Sequence, residues 1–225
     1  MGLDFDLAAW TPELLRGLVV TLEITGLCVG MGVVFGLVLA IARLYGHALA
    51  YWLATVYINF FRGVPILVQL FLVYYGLPSI GLRLEPFTAG VLALGLNTSA
   101  YQAEYFRGAI RSLPAGQLVA ARSIGMTRFQ AIRSILLPQA VRVVIPPWSN
   151  ELILMLKYSS IVFFATVTDL MGAGLLIAGE SFRYFEVFIL VAGLYLAVVL
   201  ALTVSLRAIE AWLRVPGLGS AGMES

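Results

Sequence analysis

Long apolar runs constrain this chain more than any other feature. A helix crossing about 30 Å of hydrocarbon needs roughly 20 consecutive, mostly apolar residues. Five segments meet that requirement: 17–42, 51–77, 87–106, 143–171 and 184–206. Lipid offers no water to unpaired backbone groups, so an α-helix with its bonds satisfied internally is the form such runs take. With 61% hydrophobic and 12% charged residues and a mean hydropathy of +0.97, the 225 residues are too apolar for a soluble domain. The expected architecture is an all-α integral membrane protein, one transmembrane domain over residues 1–225 with five spans.

Charge then sets orientation. Thirteen of the fourteen basic residues are arginine, clustered rather than spread, a pattern that excludes nucleic acid as a partner. Arg43, Arg207, Arg214 and six arginines between residues 107 and 142 fall on one side of the five spans, while Arg16, Arg83 and Arg183 fall on the other. The richer side is cytoplasmic, which places the N-terminus outside and the C-terminus inside. Asp4, Asp6 and Glu13 precede Arg16, so the basic leader of a cleaved signal peptide is missing and the first span is expected to remain attached. The tail 215–225, rich in Gly and Ser, is expected to be mobile. Cys28 has no partner for a disulfide or a zinc cluster and reads as an apolar packing residue. His47 has no nearby acid or thiol and reads as a loop residue.

Between the third and fourth spans lies an island, RGAIRSLPAGQLVAARSIGMTRFQAIRSILLPQAVR, with six arginines and no acid. That charge density is incompatible with lipid, yet its Ile, Leu and Ala spacing is helical. Pro114 suits a first helical turn with Ser112 before it, and Gly125 reads as the stop. Thr127 and Gln130 have capping-box spacing, so a second short helix is expected, ending before Pro138. Gly116, Ala120 and Ala121 would let another protein approach closely, and Arg122, Arg128 and Arg133 could pair with acids or phosphates. A basic loop resting on anionic headgroups would need no corner, cap or small-residue patch. The island reads as a docking element.

Ionisable groups within the spans each need a partner, a cavity or a function, because burial in lipid costs at least about 2.5–3.5 kcal/mol on insertion scales. Glu23 shares a helix face with Arg16, seven residues earlier, and is open to a structural or a functional reading. Asn97, Thr98, Ser99, Tyr101, Gln102 and Glu104 make the third span too polar for lipid on one face. In the fourth span Pro146 and Pro147 loosen the backbone, and Glu151 and Tyr158 share a face that could line a pocket. Lys157 points elsewhere and is followed by a polar break at Ser159 and Ser160.

The stretch 104–150 resembles the signature region of permease subunits of binding-protein-dependent ATP-binding-cassette importers. FFRGVPILVQLFLVYYGLP (60–78), AYQAEYFRGAI (100–110) and LPQAVRVVIPPWSNE (137–151) are similar to the branch that imports polar amino acids, and the likeness runs from about Arg16 to Leu213. The resemblance implies a type I importer fold in a bacterial inner membrane, with the island as the coupling region. It also implies partners: a cytoplasmic ATPase dimer, an external amino-acid-binding protein, and a second permease, identical or sister, surrounded by membrane lipid. ATP and Mg would belong to the ATPase, since this chain carries no GxxxxGK[ST] phosphate loop and no cofactor of its own. Coupling would fall to Gly116, Ala120, Ala121, Arg122, Gly125 and Arg128, and cargo to Asn97, Gln102, Glu151, Tyr158 and Ser159.

Two departures from the family pattern stand out. The signature's Glu-Ala-Ala is here Val119-Ala120-Ala121, which removes one acid from the coupling surface. Where relatives have Lys-Asp-Thr-Ser or Lys-Asp-Ser-Ser, this chain has Lys157-Tyr158-Ser159-Ser160, so the expected cargo is a polar or acidic amino acid rather than a basic one. Two other classes compete. An ion-coupled carrier or channel would use Glu23, Glu151 and Lys157 as a charge path. An intramembrane enzyme would need a base for Ser159 or Ser160, and only Lys157 is near in sequence.

Overall fold

The computed structural model describes residues 6–114 and 116–213, and every regular element among them is helical. Asp4, Arg214 and the 215–225 tail lie outside the described residues. Helix α1 (Leu7–Tyr45) is capped by Asp6, whose carboxylate accepts from the Ala9 N–H at 3.2 Å, and ends at Gly46. At 39 residues it is about 58 Å long at 1.5 Å per residue, more than a bilayer needs. His47, read from sequence as a plain loop residue, caps α2 (Ala48–Gly63): its Nδ1 accepts from the Ala50 N–H at 3.4 Å.

The second apolar run does not form one helix. Val64 and Pro65 break it, and α3 (Ile66–Phe71), a π-turn (Leu72–Gly76) and a 3-10 turn (Leu77–Ile80) leave at 107° to α2. Proline's missing donor and its clash with the preceding residue's helical conformation explain the break at that point. Helix α4 (Pro86–Arg111) is continuous and starts with proline in its first turn.

The island folds as α5 (Gly116–Ser123), a corner, and α6 (Arg128–Ala131). Gly125, at φ +89°, closes α5: its N–H bonds the Arg122 carbonyl at 3.1 Å and the Met126 N–H bonds that of Ala121 at 3.2 Å. These are the paired bonds of a Schellman ending, with glycine at the left-handed position. Thr127 and Gln130 form the expected capping box. The expected end before Pro138 does not occur. A π-turn (Ile132–Leu136) carries α6 directly into α7 (Leu137–Tyr158), with Pro138 in its first turn. The wider turn accommodates the proline ring and its absent N–H. Ser112, expected to precede the α5 start, closes α4 instead, its hydroxyl donating to the Ala109 carbonyl at 2.9 Å.

After α7 a 3-10 turn (Ser159–Ala165) leads through Thr166 to α8 (Leu170–Ser181), and α9 (Tyr184–Leu213) closes the fold. Only α1 and α9, with mean hydropathies of 2.4 and 2.8, are each long and apolar enough to cross a membrane alone among the described residues. Two bent pairs, residues 48–63 with 66–80 and 128–165 with 170–181, qualify as spans only when joined. Helix α4 is long enough but too polar.

Helices α1 and α4 pack closely because glycines thin the contact. A side chain at Gly32 would collide with Gln102, and a Cβ at Gly36 would lie 3.0 Å from the Ser99 carbonyl. Such small-residue seams are how helices associate where the hydrophobic effect gives no drive. One end of α4 is clasped by charge: the Glu104 carboxylate accepts from Arg43 of α1 and from Arg107, whose Nε lies 3.1 Å from both oxygens. Near the other end of α1, buried Asp169 caps α8 through the Gly172 N–H at 2.9 Å and accepts from the Tyr195 hydroxyl of α9 at 3.3 Å. Thr21 of α1 donates to the Leu170 turn's neighbour Asp169 and accepts the Leu170 N–H at 3.1 Å.

Candidate functional site

The break between α2 and α3 opens a cavity of about 460 Å³, lined by the backbone from Arg62 to Ile66, by α4 and by α7. A break inside an apolar run frees carbonyls that lipid could not satisfy, and two amides take them. The Gln69 side-chain amide donates to the carbonyls of Phe61 (2.8 Å) and Val64 (2.7 Å), and the Asn97 amide donates to Phe61 (2.8 Å) and to the Gln69 oxygen (3.1 Å). Gln69 and Asn97 are 2% and 5% exposed, so the bend is built into the core.

Of the residues expected to hold cargo, Asn97, Glu151 and Tyr158 are brought together here. Glu151 is buried and accepts from the Thr98 hydroxyl at 2.7 Å and the Tyr105 hydroxyl at 3.1 Å, which fix both oxygens. Gln102 and Ser159 are not part of the cavity lining. Gln102 is wholly buried, donating to the Val29 carbonyl and accepting from the Trp148 indole N–H at 3.2 Å, so it ties α4 to α1 and α7. The Ser159 hydroxyl is used locally, donating to the Leu156 carbonyl at 2.8 Å.

Among the cavity residues not singled out for the site from sequence, three carry polar side chains: Arg62, Tyr101 and Tyr105. The Arg62 guanidinium stands 5.2 Å from the Tyr101 ring centre, a cation–π placement. The Arg62-Gly63-Val64-Pro65 run was the available signal, since an arginine next to a helix breaker inside an apolar segment needs a polar surrounding. The cavity thus carries one cation and one acid on opposing elements. Glu23 and Lys157, proposed with Glu151 as a charge path, are exposed on the outside of the bundle and do not line the cavity.

The coupling candidates occupy the α5–α6 corner. Gly116, Ala120, Arg122, Gly125 and Arg128 are exposed, whereas Ala121 is 3% exposed and packs inward. The helical period explains the difference, because Ala120 and Ala121 are 100° apart on α5. Val119, Ile124 and Phe129 are exposed by 67%, 78% and 70%, giving the corner an apolar surface among the arginines. Reciprocal amide bonds between Gln117 and Gln139, at 3.0 and 2.9 Å, fasten α5 to the start of α7.

Comparison with known proteins matches residues 32–215 to the family model described as "Binding-protein-dependent transport system inner membrane component". The Bacillus subtilis "Probable amino-acid ABC transporter permease protein YckA" is 41% identical over 83% of this chain and 83% of its own length. The Escherichia coli "Glutamine transport system permease protein GlnP" is 36% identical over 95% of this chain and 100% of its own. A solved structure titled "Crystal structure of an amino acid ABC transporter with histidines" superposes with a TM-score of 0.88 at 40% identity, covering 94% of this chain and 99% of that one. The chain belongs to the binding-protein-dependent transport system inner membrane components, the permease subunits of ATP-binding-cassette importers, and within them to those of amino-acid transporters.

Proposed function

We propose that this chain moves an amino acid inward across a bacterial cytoplasmic membrane through the cavity at the α2–α3 break. Five spans are formed by α1, the bent α2–α3 pair, α4, the α7–α8 pair and α9, with the N-terminus outside. A second permease copy or sister completes the membrane unit, and a soluble binding protein delivers cargo at the outer face. The observation that carries the cargo reading is the pairing of Arg62 and Glu151 in one cavity. A guanidinium suits a carboxylate and a fixed carboxylate suits an ammonium, so the two match the backbone ends of a free amino acid.

The cavity's own charges cancel, leaving neither a spare acid for a basic side chain nor a spare cation for an acidic one. The cargo is accordingly a neutral polar amino acid, with Tyr101, Tyr105 and Tyr158 around its side chain. Residues 116–128 dock the ATPase: Arg122 and Arg128 meet acids on it, and Val119, in place of the family's usual acid, adds to an apolar contact. ATP, with Mg, binds the partner; its closure pulls the corner and switches the cavity between outward and inward access.

Uptake into proteoliposomes holding the full transporter tests this reading. Removing one charged hydrogen-bonding partner of cargo costs about 1.5–3 kcal/mol, or roughly 10- to 150-fold in apparent affinity. Glu151→Gln and Arg62→Gln should each raise the half-saturating cargo concentration by that factor while ATPase assembly persists. Unchanged uptake in both variants would remove the cavity from the path.

A further inference from the structure

Along α4 the cavity begins at Asn97. The preceding turns, at Val91 and Leu94, sit instead in an apolar layer with Leu70, Val162 and Ala165. Beyond that layer two irregular segments meet: the π-turn after α3 and the 3-10 turn after α7. Two hydrogen bonds cross their contact, beside an edge contact of the Phe71 ring on Phe164 at 6.2 Å between centres. The Tyr75 hydroxyl donates to the Phe164 carbonyl at 2.9 Å, and the Tyr74 and Thr166 hydroxyls share a bond of 3.1 Å. Tyr75 and Phe164 are half exposed, at 58% and 50%.

Thr166 is held in an unfavourable conformation. Its φ is +63°, a left-handed backbone that β-branched residues avoid. Its N–H bonds the Phe163 carbonyl at 2.8 Å, while the Val167 N–H reaches that of Val162 at 3.4 Å, the position where a helix ending ordinarily places glycine. Strained backbone persists only where surrounding contacts hold it, and moving segments are drawn from weakly packed parts of a fold. The α1–α4 seam is the opposite case, glycine-thinned and clasped at Glu104.

We propose that the seam between Tyr74–Tyr75 and Phe164–Thr166 is the outer gate of the cavity, with the two tyrosine hydroxyls as its latch. The gate parts and reseals in every cycle while α1 and α4 move together. This rests on the amino-acid import reading, which supplies the direction of movement.

The test places cysteines at Phe71→Cys and Phe164→Cys in the complete transporter, a pair whose rings meet across the seam at 6.2 Å and whose replacement leaves both tyrosine hydroxyls in place. Cys28, the single native cysteine of this chain, is fully buried and leaves the chain itself quiet. A short bis-methanethiosulfonate bridge across the pair should abolish uptake of radiolabelled glutamine, and reduction should restore it; bridged transporter that continues to take up cargo overturns the gate. The same pair carrying nitroxide labels reads the seam without cargo. Separation should lengthen when ATP is bound without hydrolysis, and a distance indifferent to ATP overturns the proposal even if uptake is silent. Loss of uptake in wild type and unbridged variant alike, with the ATP-driven lengthening intact, counts against the amino-acid reading alone.

Discussion

Gln69 shows how much one side chain can decide. Its amide satisfies two carbonyls freed by the helix break, and Asn97 holds its oxygen. Gln69→Leu keeps the bulk and strands the Val64 carbonyl, while Phe61 keeps the Asn97 amide, at a cost of about 1–3 kcal/mol. The expected result is a lower melting temperature in detergent together with weaker cargo binding; an unchanged melt would mean that water replaces the amide. Gly32→Leu forces a side chain into Gln102 and should destabilise by about 1–3 kcal/mol, read in the same assay. Polarity inside an apolar run was enough to expose Asn97, Glu151 and Tyr158 in the sequence. Arg62 and Tyr101 escaped because their meeting depends on how α2 packs against α4, which no residue periodicity records. Gln102 misled for the converse reason: a polar residue on the right helix can face a neighbour's backbone as readily as a cavity.

The glycine corner and the cap after it were legible to the residue, since such ends are local chemistry, whereas the start of α5 was not. Gly125 and the Thr127–Gln130 box sit where their side chains and φ preferences put them. Thr127→Ala should cost about 0.5–2 kcal/mol. Hydrogen exchange at Arg128–Ala131 reports it, with faster exchange confined to that turn; no change there would show that the continuous run into α7 holds the helix unaided. That continuity was not legible. Pro138 argues for a stop by every local rule, and only a π-turn, a tertiary accommodation, carries the chain past it. The second span's break lies at the same boundary between local and long-range causes: Pro65 announces it, but Gln69 and Asn97 make it tolerable.

As a whole, the molecule is a hub with attachments. Helix α4 bonds α1 through Glu104 and Gln102, α2 through the Tyr57–Ser99 hydroxyl pair at 2.7 Å, and α7 through Glu151. If the corner transmits force to this hub through an acidic partner, Arg122→Glu with Arg128→Glu should reduce co-purified ATPase at least several-fold while cargo binding stays. Full retention would shift docking to the exposed Val119, Ile124 and Phe129. The polarity that makes α4 a hub also bears on how the protein is made. With Asn97, Gln102 and Glu104 in its middle and second half, this segment is a poor client for the translocon by itself, and we expect α1, already synthesised and glycine-notched to receive it, to draw it into the bilayer. A glycosylation reporter on α4 alone should register passage into the lumen, and on α1 through α4 together, integration; biogenesis would then follow the same pairing that later bears the transport stroke.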